Sequence, residues 1–337
     1  MGEGVREAKH IFGLFSAFPI LLLLFSLAAA QQYTATEISF IEWGDAAEQL
    51  KICEPFIEYD PADSQEVMSW PCGGPNHKFV DKNENFYFGL SYFHEFKAFR
   101  SDGSLLLDYS VESPTYNPEF YRESVAQFYV DSLCRIYLMG SKRYDYVAMV
   151  DTMGNLSAKL TPYGEGSGNR LVNFYLNSDN RLLFKIHHDG QTTLYTCKDQ
   201  QFTPGGCRWW AIDGNCYWVR KIGSSTIEFK KYGDRDSLGE VGWQEIITRQ
   251  SPIEMFNASF LGVDDDLRLY VQIVALNGPE ERILVYDTAY EIESQIILPI
   301  PENRYEWHLI PFMRHDGNVY EFRCLDNGMH IYRWVRE

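Results

Sequence analysis

The chain lacks an excess of basic residues, long charge blocks and low-complexity runs. Lys and Arg number 30 against 47 Asp and Glu among 337 residues, which gives a formal net charge of −17. Such a surface repels phosphate groups, so the composition excludes nucleic acids and anionic membrane surfaces as partners. Aromatic residues are abundant by contrast, at 15% of the chain, and they supply ample apolar material for a large core.

The signature motifs of several enzyme classes are absent as well. None of the cysteines forms a CxxC pair, which argues against a zinc or redox site of that type. No GxSxG sequence is present, so a nucleophile elbow with its Ser-His-Asp triad cannot be assigned. Long helical periodicity is missing too, which argues against a mainly helical fold.

Long apolar runs are rare, and residues 11–30 form the one that is long enough to matter. Charged residues up to Lys9 precede it, and three alanines end it before Gln31, a pattern typical of a cleaved signal peptide. About twenty apolar residues can also span a bilayer, so residues 1–30 are predicted to be a signal peptide or a membrane anchor. Both alternatives predict that residues 31–337 are secreted, periplasmic or extracellular.

The chain has only seven cysteines, a number that fits an exported protein. An oxidising compartment permits disulfides, and an odd count leaves at least one thiol. Proximity and loop context predict two pairs, Cys53 with Cys72 and Cys197 with Cys207. Strand-like surroundings predict buried thiols at the remaining positions, which are Cys134, Cys216 and Cys324.

The segment around His187, His188 and Asp189 could be a metal site or the tip of a hairpin. Apolar and polar residues alternate on both sides of it, from Leu182 to Thr196, with the period of two that is typical of strands. Asp-Gly between such runs is a strong hairpin signal, because glycine adopts the positive φ of a tight turn without strain. Adjacent strand residues point to opposite faces, so the two histidines cannot easily converge on one ion. The pattern favours the hairpin.

This hairpin belongs to a repeat of about 50 residues. Each unit has a short apolar run, a turn with Asp, Asn or Gly, an aromatic strand and further turns and strands. The aromatic strands align at steps of 50, 46, 34, 53 and 50 residues, on Tyr87, Tyr137, Leu183, Tyr217, Tyr270 and Tyr320. Four strands per unit in six units predict an all-β fold, a six-bladed β-propeller. A sandwich of two stacked sheets is the alternative.

The two ends of the chain are predicted to meet in the last blade. The sixth unit stops at Glu337 after its third strand, while Ile38, Phe40 and Ile41 lie in a strand without a unit of its own. This N-terminal strand is therefore expected to close the last blade and remove an exposed edge. Residues 31–337 would form one propeller domain, with residues 45–78 as the lead-in loop.

The turn-and-strand pattern, as in Asp213-Gly-Asn-Cys-Tyr217, resembles the six-bladed propellers of the NHL, TolB-like and gluconolactonase-like group. The resemblance covers residues 34–337 and marks blade architecture rather than activity. In the lactonase branch it implies a divalent cation held by Glu, Asn and Asp in the central channel. The corresponding positions here depart from that pattern, since they are Ala126, Val172, Arg208 and Ser259.

Ligands of such folds usually enter the central channel. Candidate ligand-binding residues near the starts of the predicted innermost strands are His77, Glu123, Arg170, Arg208, Trp209, Asn257 and His308. Convergent Arg170 and Arg208 would suit a carboxylate or another anion.

The sequence thus predicts an exported binding or scaffold module for a protein, small-molecule or carbohydrate ligand, with no predicted cofactor. The alternative is a lactonase-like or glycosidase-like hydrolase that uses the central channel, with a divalent cation in the lactonase case. A glycosidase would need two facing carboxylates, of which Glu123 could be one.

Overall fold

Strands make up all of the named elements of the fold. The computed structural model describes residues 33–46, 48–50, 57–59, 66–68, 75, 77–90, 95–109, 125–140, 146–151, 153, 155–161, 170–176, 182–188, 191–198, 201–204, 211–233, 245–299 and 307–337. No helix in these ranges is long and apolar enough to cross a membrane. The predicted signal peptide or anchor, residues 1–30, lies outside them.

The described strands form six antiparallel blades and one short hairpin. Strand β1 (Tyr33–Glu42) comes first, and the hairpin of β2 (Ile57–Tyr59) and β3 (Glu66–Met68) lies within the predicted lead-in loop. Blade 1 contains β4 (His77–Val80), β5 (Phe86–Leu90), β6 (Glu95–Phe99) and β7 (Leu105–Tyr109). Blade 2 contains β8 (Val125–Val130), β9 (Ile136–Gly140), β10 (Val147–Val150) and β11 (Leu156–Leu160). Blade 3 contains β12 (Arg170–Leu176), β13 (Leu182–His188), β14 (Gln191–Lys198) and β15 (Gln201–Pro204).

The second half of the ring repeats this arrangement. Blade 4 has three described strands: β16 (Cys216–Lys221), β17 (Thr226–Tyr232) and β18 (Glu245–Gln250). Blade 5 contains β19 (Met255–Val263), β20 (Leu269–Ala275), β21 (Glu281–Tyr286) and β22 (Ile292–Leu298). Blade 6 contains β23 (Trp307–Met313), β24 (Val319–Leu325), β25 (Gly328–Arg336) and, at its outer edge, β1.

The first strands of neighbouring blades lie side by side around the axis. Strand β4 contacts β8 and β23, β12 contacts β8, and β19 contacts β23. Five of the six aligned residues of the sequence repeat fall on the second strand of their blade, for example Tyr87 on β5 and Tyr320 on β24, and Tyr217 falls on β16 of blade 4. The predicted six-bladed β-propeller is therefore confirmed, and the two-sheet sandwich is wrong.

The segment around His187 forms the predicted hairpin. Strand β13 pairs with β14 from Leu182 opposite Cys197 to His188 opposite Gln191. The His187 side chain is exposed, as expected on the face of a strand that points away from the core.

The prediction that the N-terminal strand closes the last blade is also confirmed. Strand β1 pairs with β25 along its whole length, from Tyr33 opposite Arg336 to Glu42 opposite Gly328. Its Ile41 is 2% exposed and shares a core cluster with Phe88 of blade 1 and Phe322 of blade 6. The closure thus packs the N-terminal strand into the seam between the first and last blades.

The turns between the first and second strands share one hydrogen-bonding pattern. The first turn residue donates its N–H to the carbonyl four residues on, and its own carbonyl accepts the N–H three residues on. Five described turns have this pattern, and they begin at Asp81, Asp131, Ala211, Asp264 and Arg314.

The fourth residue of each turn has a positive φ, and the chain meets this requirement in two ways. Blades 4 and 6 place Gly214 and Gly317 there, both with φ 79°. Blades 1, 2 and 5 place a residue with a side chain there, with φ between 60° and 65°, at Glu84, Cys134 and Leu267. These three turns begin with Asp, whose carboxylate accepts the N–H groups two and four residues on. The carboxylate bonds offset the strain that glycine would avoid.

The same carboxylates explain the repeated tyrosines. The hydroxyls of Tyr87, Tyr137 and Tyr270 donate to the turn aspartates of their own blades at 3.0, 3.1 and 3.0 Å. Burial and the neighbouring carboxylates raise the pKa of each of these tyrosines, so each phenol keeps its proton at neutral pH. The second strand is thereby tied to the turn that precedes it.

Removing one turn carboxylate should destabilise the protein according to its burial. Asp131→Ala leaves the N–H groups of Leu133 and Arg135 and the Tyr137 hydroxyl without their acceptor in a buried site, which should cost about 2–4 kcal/mol. Asp151→Ala is the matched control, because Asp151 makes the same kind of turn in blade 2 with more exposure to water. The Asp151→Ala substitution should lower the free energy of unfolding, measured with urea, by less than about 1 kcal/mol. Equal losses would contradict the role of burial.

Truncating the closing strand on its core face should also destabilise the protein. Ile41→Ala is expected to lower the free energy of unfolding by about 2–4 kcal/mol, because it opens a cavity in the seam. Thr36→Ala on the same strand is exposed and should change it by less than about 0.5 kcal/mol. A loss at Ile41 no larger than that at Thr36 would show that this strand does not close the ring.

Candidate functional site

A cavity of about 250 Å³ lies on the axis of the propeller. Its walls come from β4, β8, β12, β19 and β23, which are the first strands of five blades, and from the turn after β23. Pockets for drug-sized ligands measure about 300–1,000 Å³, so this volume suits a smaller molecule.

Apolar side chains form most of the cavity wall. They include Phe79, Leu176, Phe260, Val263, Ile310 and Phe312. Three polar side chains join them, those of Lys78, Tyr129 and His315. The Tyr129 hydroxyl accepts a hydrogen bond from the Gln127 amide at 3.0 Å, and exposed His315 lies in the turn between β23 and β24.

Lys78 owes its position to the alternation of β4. Lys78 and Val80 are two residues apart and face the same side of the strand. Val80 packs in the core cluster that blade 1 shares with blade 6. Lys78 accordingly points to that seam, with its ammonium 5.8 Å from the centroid of the Phe322 ring.

The apolar surroundings change the acidity of the Lys78 amine. Burial lowers its pKa from the usual value near 10.5 to about 8. The Phe322 ring attracts the cation, but such a contact contributes only about 0.5–2 kcal/mol and does not replace the lost hydration.

The groups that face Lys78 do not neutralise its charge. Burial raises the pKa of the Cys324 thiol on β24, so this group is neutral at pH 7. Burial and the adjacent Lys78 lower the pKa of His77, which keeps the imidazole neutral as well. Among the described residues, no carboxylate pairs with the Lys78 ammonium and no hydrogen bond reaches it. Tyr129 and His315 are the other titratable side chains of the cavity wall. A ligand with an anionic group would supply the missing counter-charge.

Four of the predicted ligand-binding residues lie in described strands, near the starts of the first strands of their blades. His77 begins β4 and is partly buried, and Asn257 is exposed on β19, where its carbonyl oxygen accepts the Ala258 N–H at 2.9 Å. Neither is among the described residues that line the cavity. Arg170 is the first residue of β12 and His308 the second of β23, and the placement of their side chains is outside what the structure describes. The other three candidates lie outside the described residues, and they are Glu123, Arg208 and Trp209.

One of the two predicted disulfides differs from what the structure describes, and the other lies outside the described residues. Cys197 lies on β14 as a thiol in the core between blades 2 and 3, where it is 7% exposed. This contradicts the predicted pairing with Cys207, because the strand turns Cys197 inward rather than toward a loop. Cys207, Cys53 and Cys72 lie outside the described residues. The predicted buried thiol at Cys324 is confirmed, whereas Cys134 is a thiol that is only partly buried. The predicted thiol at Cys216 is wrong, because Cys216 is disulfide-bonded.

Metal ligands were expected in the channel only for the lactonase alternative. Within the described ranges, no group of three or more His, Cys, Asp or Glu side chains is placed to hold a metal ion. The corresponding Val172 is exposed on β12 and Ser259 is partly buried on β19. The cavity wall as described offers an amine, a phenol and an imidazole instead.

Sequence reasoning missed Lys78 for a specific reason. The predicted first strand of blade 1 was the apolar pair Phe79-Val80, and the predicted lead-in loop extended to residue 78. The structure begins β4 at His77, two residues earlier. The signal in the sequence that could have indicated Lys78 was a lysine directly before the apolar pair of an innermost strand.

Replacing Lys78 by methionine should stabilise the protein in a pH-dependent way. Met keeps the length of the side chain and removes the desolvated charge, so the free energy of unfolding at pH 7 should rise by on the order of 2 kcal/mol. The folded-state pKa of Lys78 is about 8 and the unfolded-state value is near 10.5. The unfolded chain therefore binds more protons between these values, and wild-type stability should approach that of Lys78→Met as pH rises through this window.

Urea unfolding of both proteins from pH 7 to pH 10 measures this convergence. Lys82→Met is the matched control, because Lys82 is exposed in the turn after the same strand and its removal should change the free energy of unfolding by less than about 0.5 kcal/mol. A Lys78→Met difference that does not change with pH would contradict the desolvated ammonium.

No protein-family model and no curated protein matches the chain. Solved structures match it at low sequence identity. Virginiamycin B lyase from Staphylococcus aureus is 12% identical with a TM-score of 0.43, over 77% of this chain and 83% of that one. The calcium-binding protein regucalcin from Agrobacterium tumefaciens is 11% identical with a TM-score of 0.48, over 78% and 91%. A luciferin-regenerating enzyme is 12% identical with a TM-score of 0.45, over 77% and 91%. Likeness at this level concerns the fold alone.

Proposed function

We propose that this protein is an exported β-propeller that binds a small, largely apolar anion in its central channel. The observation that carries the proposal is Lys78, which lines an apolar cavity and whose ammonium has no carboxylate partner among the described residues. An unpaired cation in such a site is costly, and the binding of a complementary anion offsets that cost.

The charge of Lys78 suits this role at neutral pH. With a pKa of about 8, about nine-tenths of the amine is protonated at pH 7. The walls formed by Phe79, Phe260 and Phe312 would contact an apolar body, while the ammonium would fix the acidic end. A carboxylate on a short hydrocarbon chain is the simplest ligand with both features.

The predicted arginines extend this proposal to the other end of the channel. Arg170 begins β12, next to β8 in the ring. Arg208, which lies outside the described residues, precedes β16 by eight positions in the sequence. A ligand long enough to pass from Lys78 toward the starts of the first strands could place a second anionic group near these arginines.

Export is the second part of the proposal. The apolar run at residues 11–30 supports delivery across a membrane. Cys216 is disulfide-bonded, which is typical of secreted, periplasmic and extracellular proteins. Protein or carbohydrate ligands are compatible with such a location.

A thermal-shift comparison of matched ligands tests the binding proposal. Hexanoate should raise the melting temperature of the wild-type protein by several degrees at saturation, because ligand at a hundredfold excess over Kd adds about 2.7 kcal/mol. Hexanol, which has the same apolar body without the charge, should give a smaller rise. Lys78→Met should lose the response to hexanoate, Lys78→Arg should keep most of it, and Lys82→Met should respond like the wild type.

Two outcomes would contradict the proposal. One is an equal response of wild type and Lys78→Met to hexanoate, and the other is an equal response of the wild type to hexanoate and hexanol. Hydrolysis of a simple lactone that depends on added calcium and survives in Lys78→Met would instead favour the lactonase-like alternative.

A further inference from the structure

We propose that the Lys78 amine captures a small aldehyde or ketone in the channel as a covalent imine. This inference rests on the proposed function, because it names a further ligand class for the same cavity. It requires three features of the site, which are an accessible amine, the absence of a competing partner and walls that exclude bulk water.

Lys78 borders both the cavity and the seam between blades 1 and 6. Lys78 is partly exposed and forms part of the cavity wall, while β4 is held between β5 of its own blade and the first strands of blades 2 and 6. The Phe322 ring on one side is apolar and cannot take a proton from the ammonium or donate one. The lone pair of the neutral amine is therefore available to a carbonyl carbon.

Lys97 shows how a structural lysine in the same blade differs. It is 1% exposed, and its ammonium donates to the carbonyl oxygens of Gln49 at 2.7 Å and of Ala46 at 3.4 Å. These bonds tie the lead-in segment to blade 1. Lys78 has no comparable acceptor among the described residues, so no described hydrogen bond depends on the protonated form of its amine.

The reaction needs no cofactor and balances as a condensation. The neutral Nζ attacks the carbonyl carbon, a C–N bond forms, and the carbonyl oxygen takes up a proton to give a carbinolamine. The nitrogen then loses its proton as the hydroxyl departs with a second proton as water, and the C=N bond of the imine forms. One water molecule is released and no group is oxidised or reduced. The apolar walls disfavour the reverse hydrolysis by limiting the water near the imine.

The acidity of the amine supports this chemistry. At pH 7, a pKa of about 8 leaves about a tenth of Lys78 neutral, whereas an ordinary lysine with a pKa near 10.5 is neutral in roughly one molecule in three thousand. The reactive fraction of Lys78 therefore exceeds that of an ordinary lysine by a factor of about 300.

Reductive trapping tests the inference on the full chain. The protein is incubated at pH 7 with hexanal and cyanoborohydride, which reduces an imine to a stable secondary amine, and the adducts are located by peptide mapping. A hexyl group should accumulate on Lys78 at least about tenfold faster than on Lys82, because the larger neutral fraction outweighs the lower basicity of the amine. Lys78→Arg should lose the fast adduct, and Lys82→Arg should retain it.

The outcomes separate this inference from the proposed function. Equal labelling of Lys78 and Lys82 in the wild type would overturn the inference without any variant, so a folding defect cannot obscure the result. A fast adduct that persists in Lys78→Arg would overturn it as well. Loss of the adduct in Lys78→Arg with a retained response to hexanoate supports imine capture by this amine. Fast labelling of Lys78 in a wild-type protein that does not respond to hexanoate would support imine capture and reject anion binding.

Discussion

The pairing of β1 with β25 is the interaction on which the rest of the structure depends. An open ring would leave the outer edge of blade 6 exposed and the seam with blade 1 unsupported. The closing strand instead places Ile41 in the same core as Phe88 and Phe322. The seam also holds Lys78, because β4 turns Lys78 and Val80 toward blade 6. The closure of the ring therefore also determines which side chains surround Lys78.

The seam determines the chemistry that the channel can perform. Its side chains are apolar or neutral, since Phe322 offers only a ring face and Cys324 keeps its proton. Desolvation outweighs the attraction of the ring, so the Lys78 amine is easier to deprotonate than an exposed lysine. Both forms of the amine are then available near neutral pH. The protonated form suits an anion, and the neutral form suits a carbonyl carbon.

The architecture could be predicted from sequence because the same short sequence pattern recurs in the blades. Tyrosines such as Tyr87 and Tyr270 mark the second strands, and the turn residues Asp81 and Asp264 stand six positions before them, where their carboxylates bind the tyrosine hydroxyls. The predicted strand near Ile41 belonged to no repeat unit, and the last unit lacked a fourth strand, so the pairing of the two could be predicted as well. Such patterns depend on strand alternation and turn geometry, which neighbouring residues determine.

The channel site could not be predicted in the same way, because it depends on contacts between distant parts of the chain. Phe322 and Cys324 approach Lys78 only once the ring closes, and strand alternation indicates the face of a residue but not its depth along the axis. The candidates at the starts of the strands, such as His77 and Asn257, do not line the described cavity. The predicted pairing of Cys197 failed for a related reason, since its strand turns it into the core.

The most direct test of the account is an NMR titration of the lysine side chains in protein labelled with ¹³C at the ε-carbon. The signal assigned to Lys78, by its loss in Lys78→Met, should titrate with a midpoint near pH 8. An ordinary hydrated lysine side chain titrates near pH 10.5. A Lys78 midpoint near this value would show that its amine remains hydrated, and the account of the channel site would fail.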